Sequence, residues 1–225
     1  MKKVLYNKYD KRQISALPRA LFAGRIVVVL NAQQARSAVD YLLDQPLLGF
    51  DTETRPSFTK GVSYQVSLLQ VSTPHICFLF RLKMIGQSSD IIRLLEDRKV
   101  KKVGLSWHDD LIVLSRVYSF TPGAFIDIQE MVGTLGIKDL SLQKIYANVF
   151  GQHISKKEQL SNWDRDVLTE QQKRYASTDA WACVQLYQEL CRLKKTHDYQ
   201  LVVIEEPQTE ITQTEKSQED ETDLS

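Results

Sequence analysis

The chain has 225 residues, 43% of them hydrophobic, with 29 Lys plus Arg against 28 Asp plus Glu and a formal net charge of +1. That length suffices for a sizeable core, in one domain or two small ones. The balanced charge gives no composition-level pointer to a nucleic acid or a membrane, and no apolar run reaches the roughly 18 residues that span a bilayer.

The average hides an asymmetry. Residues 205–225 hold eight acids and one base, Lys216, a charge of −7, which leaves 28 basic against 20 acidic side chains, or +8, on residues 1–204. A basic body permits a polyanion partner. The three cysteines, Cys77, Cys183 and Cys191, form neither a disulfide framework nor a zinc spacing. The start, MKKVLYNKYDKR, has no apolar stretch behind its basic residues, so no secretory signal is expected. The expectation is a soluble intracellular protein, cytoplasmic by default and nuclear if the source is eukaryotic. With no coiled coil, a monomer is the default.

In chain order, residues 1–20 are mixed and polar and read as a loose lead-in. IVVVL (26–30) is a β-branched run typical of a buried strand. Asn31 can cap a following helix, AQQARSAVDYLLD, which stops before Pro46. LLGFD (47–51) is a second strand ending on acids. Residues 62–71 and 75–80 form two more, with Ser72, Thr73 and Pro74 as the turn. A helix over about 88–97, a strand at 101–105, a helix at about 107–118 and a short strand at 125–128 follow. The rest is helical: about 128–136, 141–150 and 169–194. Strands first, then strand–helix alternation, then helices suit an α/β fold with a mixed sheet flanked by helices. The tail from 205 lacks aromatics and apolar period and reads as disordered. Its plain role is a solvated terminus; mimicry of nucleic acid across the basic body is the alternative.

Acids stand where a core is expected. Asp51 and Glu53 end the apolar strand LLGF and, being two apart, share a face. D-x-E arises by chance about once in such a chain, so the pair alone is weak. In WHDDLIVLSRVY (107–118), Asp110 lies within the stripe of Trp107, Leu111, Leu114 and Tyr118, whereas Asp109 points aside. In RYASTDAWACVQLYQEL (174–190), Tyr175 and Asp179 are one turn apart on the face continued by Ala182, Cys183, Leu186 and Leu190. Buried acids are costly unless paired, protonated or bound to metal. Oxygen ligands suit hard cations such as Mg²⁺ or Mn²⁺, and two such ions can clamp a phosphoryl displacement. The four histidines have no zinc-like pairing, and no P-loop or G-x-S-x-G elbow is present.

Taken in order, FDTE (50–53), GLSWHDDLIVL (104–114) and YASTD (175–179) resemble the three motifs of the DEDD 3′–5′ exonuclease family. The resemblance extends over residues 25–192. It takes in Ser141-Leu142, Gly151, Lys156, Ser161-Asn162-Trp163 and Leu168-Thr169 with Gln172. Tyr175 four residues before Asp179, with Arg174 where the other subtype has His, marks the Tyr subtype. RPSFTKG (55–61) and SNW look most like the Werner-syndrome-type exonuclease domain, with ribonuclease D next. The residues after 192 are too few for the helical domains that ribonuclease D usually carries.

The resemblance implies a ribonuclease H-like domain over 21–200 and a hydrolase that releases nucleoside 5′-monophosphates from a nucleic-acid 3′ end with two Mg²⁺ or Mn²⁺ ions. By that analogy Asp51 bridges both ions, Glu53 and Asp179 complete one site, and Asp110 holds the second. Tyr175 orients the attacking water. Arg55, Lys60 and Lys156 are candidates for holding phosphates. Trp163 and Phe58 are open to two readings, stacking a base or packing, with packing preferred for Trp163. DNA is mildly preferred; RNA 3′-end trimming and a non-catalytic nucleic-acid-binding module are the alternatives.

Overall fold

A computed structural model describes residues 2–205. In chain order the elements are β1 (Lys3–Tyr6), α1 (Lys11–Ile14), β2 (Arg25–Val29), α2 (Ala32–Leu43), β3 (Leu47–Thr54), β4 (Val66–Ser72), β5 (Ile76–Arg81) and α3 (Leu82–Ile85). Then come α4 (Ser89–Glu96), β6 (Lys101–Gly104), α5 (Trp107–Ser115), β7 (Phe125–Asp127), α6 (Ile128–Gly133), α7 (Leu142–Phe150), α8 (Glu170–Thr196) and β8 (Tyr199–Val202).

Six strands form a mixed sheet in the order β2-β5-β4-β3-β6-β7. β4 runs antiparallel to both β3 and β5, and the other pairs are parallel. The alternation of each strand sorts its residues between two cores. Phe50, Leu69, Val71 and Phe80 face α2, α4 and α5, packing with Leu42, Leu94, Leu95 and Leu114. Leu68, Cys77 and Leu79 face the other way, against Ala176 and Ala180 of α8. The expected mixed sheet between helices is therefore the observed architecture.

Helix ends follow the residue chemistry. The Asn31 side chain accepts from the Gln34 N–H and opens α2. Thr169 and Gln172 form a reciprocal capping box that opens α8. α7 starts at its Ser141 cap and ends on Gly151 at φ 61, the left-handed conformation that glycine adopts without a Cβ clash.

Two expectations need correction. The lead-in over 1–20 is not loose throughout: β1 lies in it and pairs in parallel with β8, Lys3 opposite Tyr199 and Tyr6 opposite Val202. The four-residue strand KVLY has one fully buried residue, Leu5, and its partner lies at the far end of the chain, so no local pattern announces it. The strand expected over 62–71 begins only at Val66, because its partner β3 ends at Thr54, opposite Val66, and leaves residues 62–65 with no strand to pair with. The acidic stretch from 206 onward lies outside the described residues. Among the described residues no helix is long and apolar enough to cross a membrane.

Candidate metal centre

The site begins with a glycine. Gly49, Asp51 and Glu53 alternate onto the α8-facing side of β3. A Cβ on Gly49 would stand 1.9 Å from the Ala180 carbonyl oxygen, so the α8 backbone rests directly on β3 there. That close approach brings Asp179, one residue before Ala180, beside Asp51. One ligand oxygen from each of Asp51, Glu53 and Asp179 lies within 4.8 Å of the others.

These acids are crowded and poorly solvated. Glu53 is 9% and Asp179 5% exposed. Burial first, then the Asp179 and Asp110 charges, push the Asp51 pKa well above the carboxylate range. Burial and then the Asp51 charge raise Glu53 to about 10. Asp179 rises to about 7 through burial, opposed by hydrogen bonding from the Tyr175 phenol and by the Lys156 charge. The Tyr175 phenol is itself raised far above its ordinary value, by burial and then by the Asp179 charge. Asp179 Oδ1 is buried without a hydrogen-bond partner among the described residues. Three converging carboxylates, one with an unpartnered buried oxygen, fit a hard divalent cation. Such an ion offsets the mutual repulsion and takes oxygen donors.

Asp110 stands apart from that trio. It lies on α5, whose N-terminus is set by two devices. Ser106 adopts φ 58, and the Asp127 carboxylate accepts from the Ser106 and Trp107 N–H groups at 3.1 and 3.0 Å. Asp110 accepts a hydrogen bond from Thr52 Oγ1, on the opposite face of β3 from Asp51 and Glu53. Its pKa rises to about 6, burial outweighing the Thr52 hydrogen bond.

Asp51, Glu53 and Asp179, without Asp110, floor a cleft of about 270 Å³ whose lining includes Thr52, Leu105, Gln143, Ser155, Lys156, Gln159, Tyr175 and Cys183. Lys156 is exposed at its wall. Arg55 is exposed on the loop after β3, its guanidinium 4.7 Å from the Tyr64 ring centroid, and Lys60 is exposed further along that loop. Phe58 is 85% exposed there. Trp163 is fully buried, its ring 5.9 Å from that of Tyr175. It is closed to base stacking and supports the phenol from below, which corrects its candidacy as a substrate contact. Cys183 was legible as one turn beyond Asp179; Gln143 and Gln159 carry no sequence signal, because tertiary packing brings them in. A larger hollow of about 520 Å³ beside β2 and α2 has no titratable residue in its lining.

A family model described as 3′–5′ exonuclease matches residues 26–194. The chain is 28% identical over 190 residues to the mouse bifunctional 3′–5′ exonuclease/ATP-dependent helicase WRN, covering 80% of this chain and 14% of that protein. It is 26% identical over 197 residues to ribonuclease D of Haemophilus influenzae, covering 86% of this chain and 46% of that one. The chain thus spans less than half the length of either relative. The solved Aedes aegypti Nibbler EXO domain superposes with a TM-score of 0.70 at 18% identity, over 78% of this chain and 91% of that domain. The fold is ribonuclease H-like.

Proposed function

The chain belongs to the DEDD 3′–5′ exonuclease family, and on that premise we propose that it hydrolyses nucleic acid from the 3′ end. Nucleoside 5′-monophosphates are released by a two-metal-ion mechanism, with DNA mildly preferred. The observation that carries this reading is the convergence of Asp51, Glu53 and Asp179 within 4.8 Å under Tyr175 at the floor of an open cleft. Asp51, Glu53 and Asp179 would hold one divalent ion, with Asp51 shared and Asp110 reaching the second.

When bound, such ions activate water and neutralise charge on the attacking and leaving oxygens. The chain's own groups do the rest. Tyr175 keeps its proton, because burial and the neighbouring acids raise its pKa, so it orients the attacking water by hydrogen bonding rather than acting as a base. Trp163 beneath it limits the phenol's motion. Lys156 at the cleft wall, with Arg55 and Lys60 on the loop after β3, holds the phosphates of the strand.

RNA 3′-end trimming is the second reading, favoured by the likeness to ribonuclease D over 86% of the chain. Telling the sugars apart rests on contacts to the 2′-hydroxyl. The test is digestion of 5′-labelled single-stranded DNA, recessed-end DNA and RNA with Mn²⁺, Mg²⁺ or EDTA. The expected result is a metal-dependent ladder from the 3′ end, strongest on DNA and absent in Asp51→Asn/Asp179→Asn. A stronger ladder on RNA selects the second reading. Binding without digestion of any substrate removes the enzymatic one.

A further inference from the structure

Gln70 lies in the middle of β4 and is fully buried, and neither its amide nitrogen nor its amide oxygen has a hydrogen-bond partner among the described residues. An unpaired amide in a core is costly, and an apolar residue of that size fills the same space without the penalty. Two of its neighbours in that layer are apolar. On the same face of β4 stands Leu68, and its register partner on β5 is Leu79, both fully buried.

The partner on its other side is an acid. In the β3–β4 register Gln70 stands opposite Asp51. Directly opposed residues of antiparallel strands point to the same face, with Cβ atoms about 4.5–5.5 Å apart. Gln70 therefore shares the α8-facing layer with Asp51 and Glu53. Asp179 Oδ1, on α8 and clustered with Asp51 and Glu53, is likewise buried without a partner among the described residues.

We propose, on the metal-site reading above, that Gln70 is a positioning residue for Asp51. Its Nε2 donates to one oxygen of the ionised Asp51 carboxylate, fixing the plane of the group and leaving its other lone pairs to the cation. Ligating carboxylates are commonly held by such an outer hydrogen bond. A neutral amide suits this role because it orients the carboxylate without cancelling the charge that attracts the cation, as a lysine or arginine would.

The test uses the full chain with Gln70→Met, which keeps the length and loses the donor. Mn²⁺ binding is measured without substrate, by calorimetry and electron paramagnetic resonance, beside melting of the metal-free protein. Mn²⁺ affinity is expected to fall about 10–100-fold, while the metal-free protein melts at or above the wild-type temperature. Ser72→Ala is the packing control. It alters a buried polar residue on the same face of β4, whose hydroxyl donates to the Thr73 carbonyl at 2.8 Å, and it is expected to bind Mn²⁺ as wild type does. Wild-type Mn²⁺ affinity in Gln70→Met, or an equal loss in Ser72→Ala, overturns the proposal. A wild-type protein that binds no Mn²⁺ overturns the metal-site reading itself, so the two failures are distinct.

Discussion

The Tyr175 phenol lies beside Asp179 and over the buried indole of Trp163, with its pKa driven up by burial and by the acids. Phenylalanine keeps the packing and removes only the hydroxyl. Tyr175→Phe is therefore expected to lower kcat by about 10²–10⁴, with KM and Mn²⁺ affinity close to wild type. Steady-state digestion and calorimetry read the split, and a variant that instead loses Mn²⁺ affinity assigns the phenol to holding Asp179. At this scale the sequence was informative wherever an acid broke an apolar pattern: Asp51 and Glu53 after LLGF, Asp179 among Ala176, Ala180 and Cys183. Gln70 breaks the run VSLLQV in the same way, but a neutral amide is a fainter signal than a charge. The Thr52–Asp110 hydrogen bond had no signal at all, since its partners come from a strand and a helix joined only by tertiary packing.

Among the elements, α8 and β3 decide the site, and Gly49 is where they meet. The strand LLGF reads as an ordinary buried strand, and nothing in it announces that a helix backbone rests on its glycine. The Cβ of alanine would meet the Ala180 carbonyl oxygen at 1.9 Å and the Val184 side chain at 2.7 Å. Both strand and helix are central, so α8 must lift or the strand must bend. Gly49→Ala is expected to destabilise the fold by about 1–3 kcal/mol, the usual cost of overpacking. It is also expected to weaken Mn²⁺ binding, because Asp179 moves with the helix. Urea unfolding with and without Mn²⁺ measures both effects; loss of stability with unchanged Mn²⁺ affinity contradicts the coupling of this contact to the site. Element existence was legible where period and caps agreed, as in α2, α7 and α8. β1 and β8 were not, because each is four residues long and is stabilised by a partner nearly the whole chain away.

For the molecule as a whole, a buried acidic cluster opposes folding when no cation is present. The folded-state pKa values of Asp110, Asp179 and Glu53 are raised, to about 6, 7 and 10, above those of an unfolded chain. Groups with raised values stabilise the fold fully below the unfolded value, near pH 4. That contribution is lost as pH rises through the folded values, because the folded state then holds protons the unfolded chain has released. The metal-free protein is therefore expected to lose thermal stability between about pH 5 and pH 8. Asp51→Asn/Asp179→Asn is expected to flatten that slope and to melt above wild type at pH 8, since two buried acids with raised pKa values become amides that do not titrate. Mn²⁺ reverses the order: it binds the folded wild type and raises its melting temperature with concentration, while the double variant gains little. Melting curves at pH 5, 6.5 and 8, with EDTA and with Mn²⁺, read all four combinations. Parallel pH slopes for the two proteins in EDTA would show that the acids share their burden with solvent instead of awaiting a cation. Crossing curves would show that the fold carries instability at the site in exchange for its capacity to bind metal.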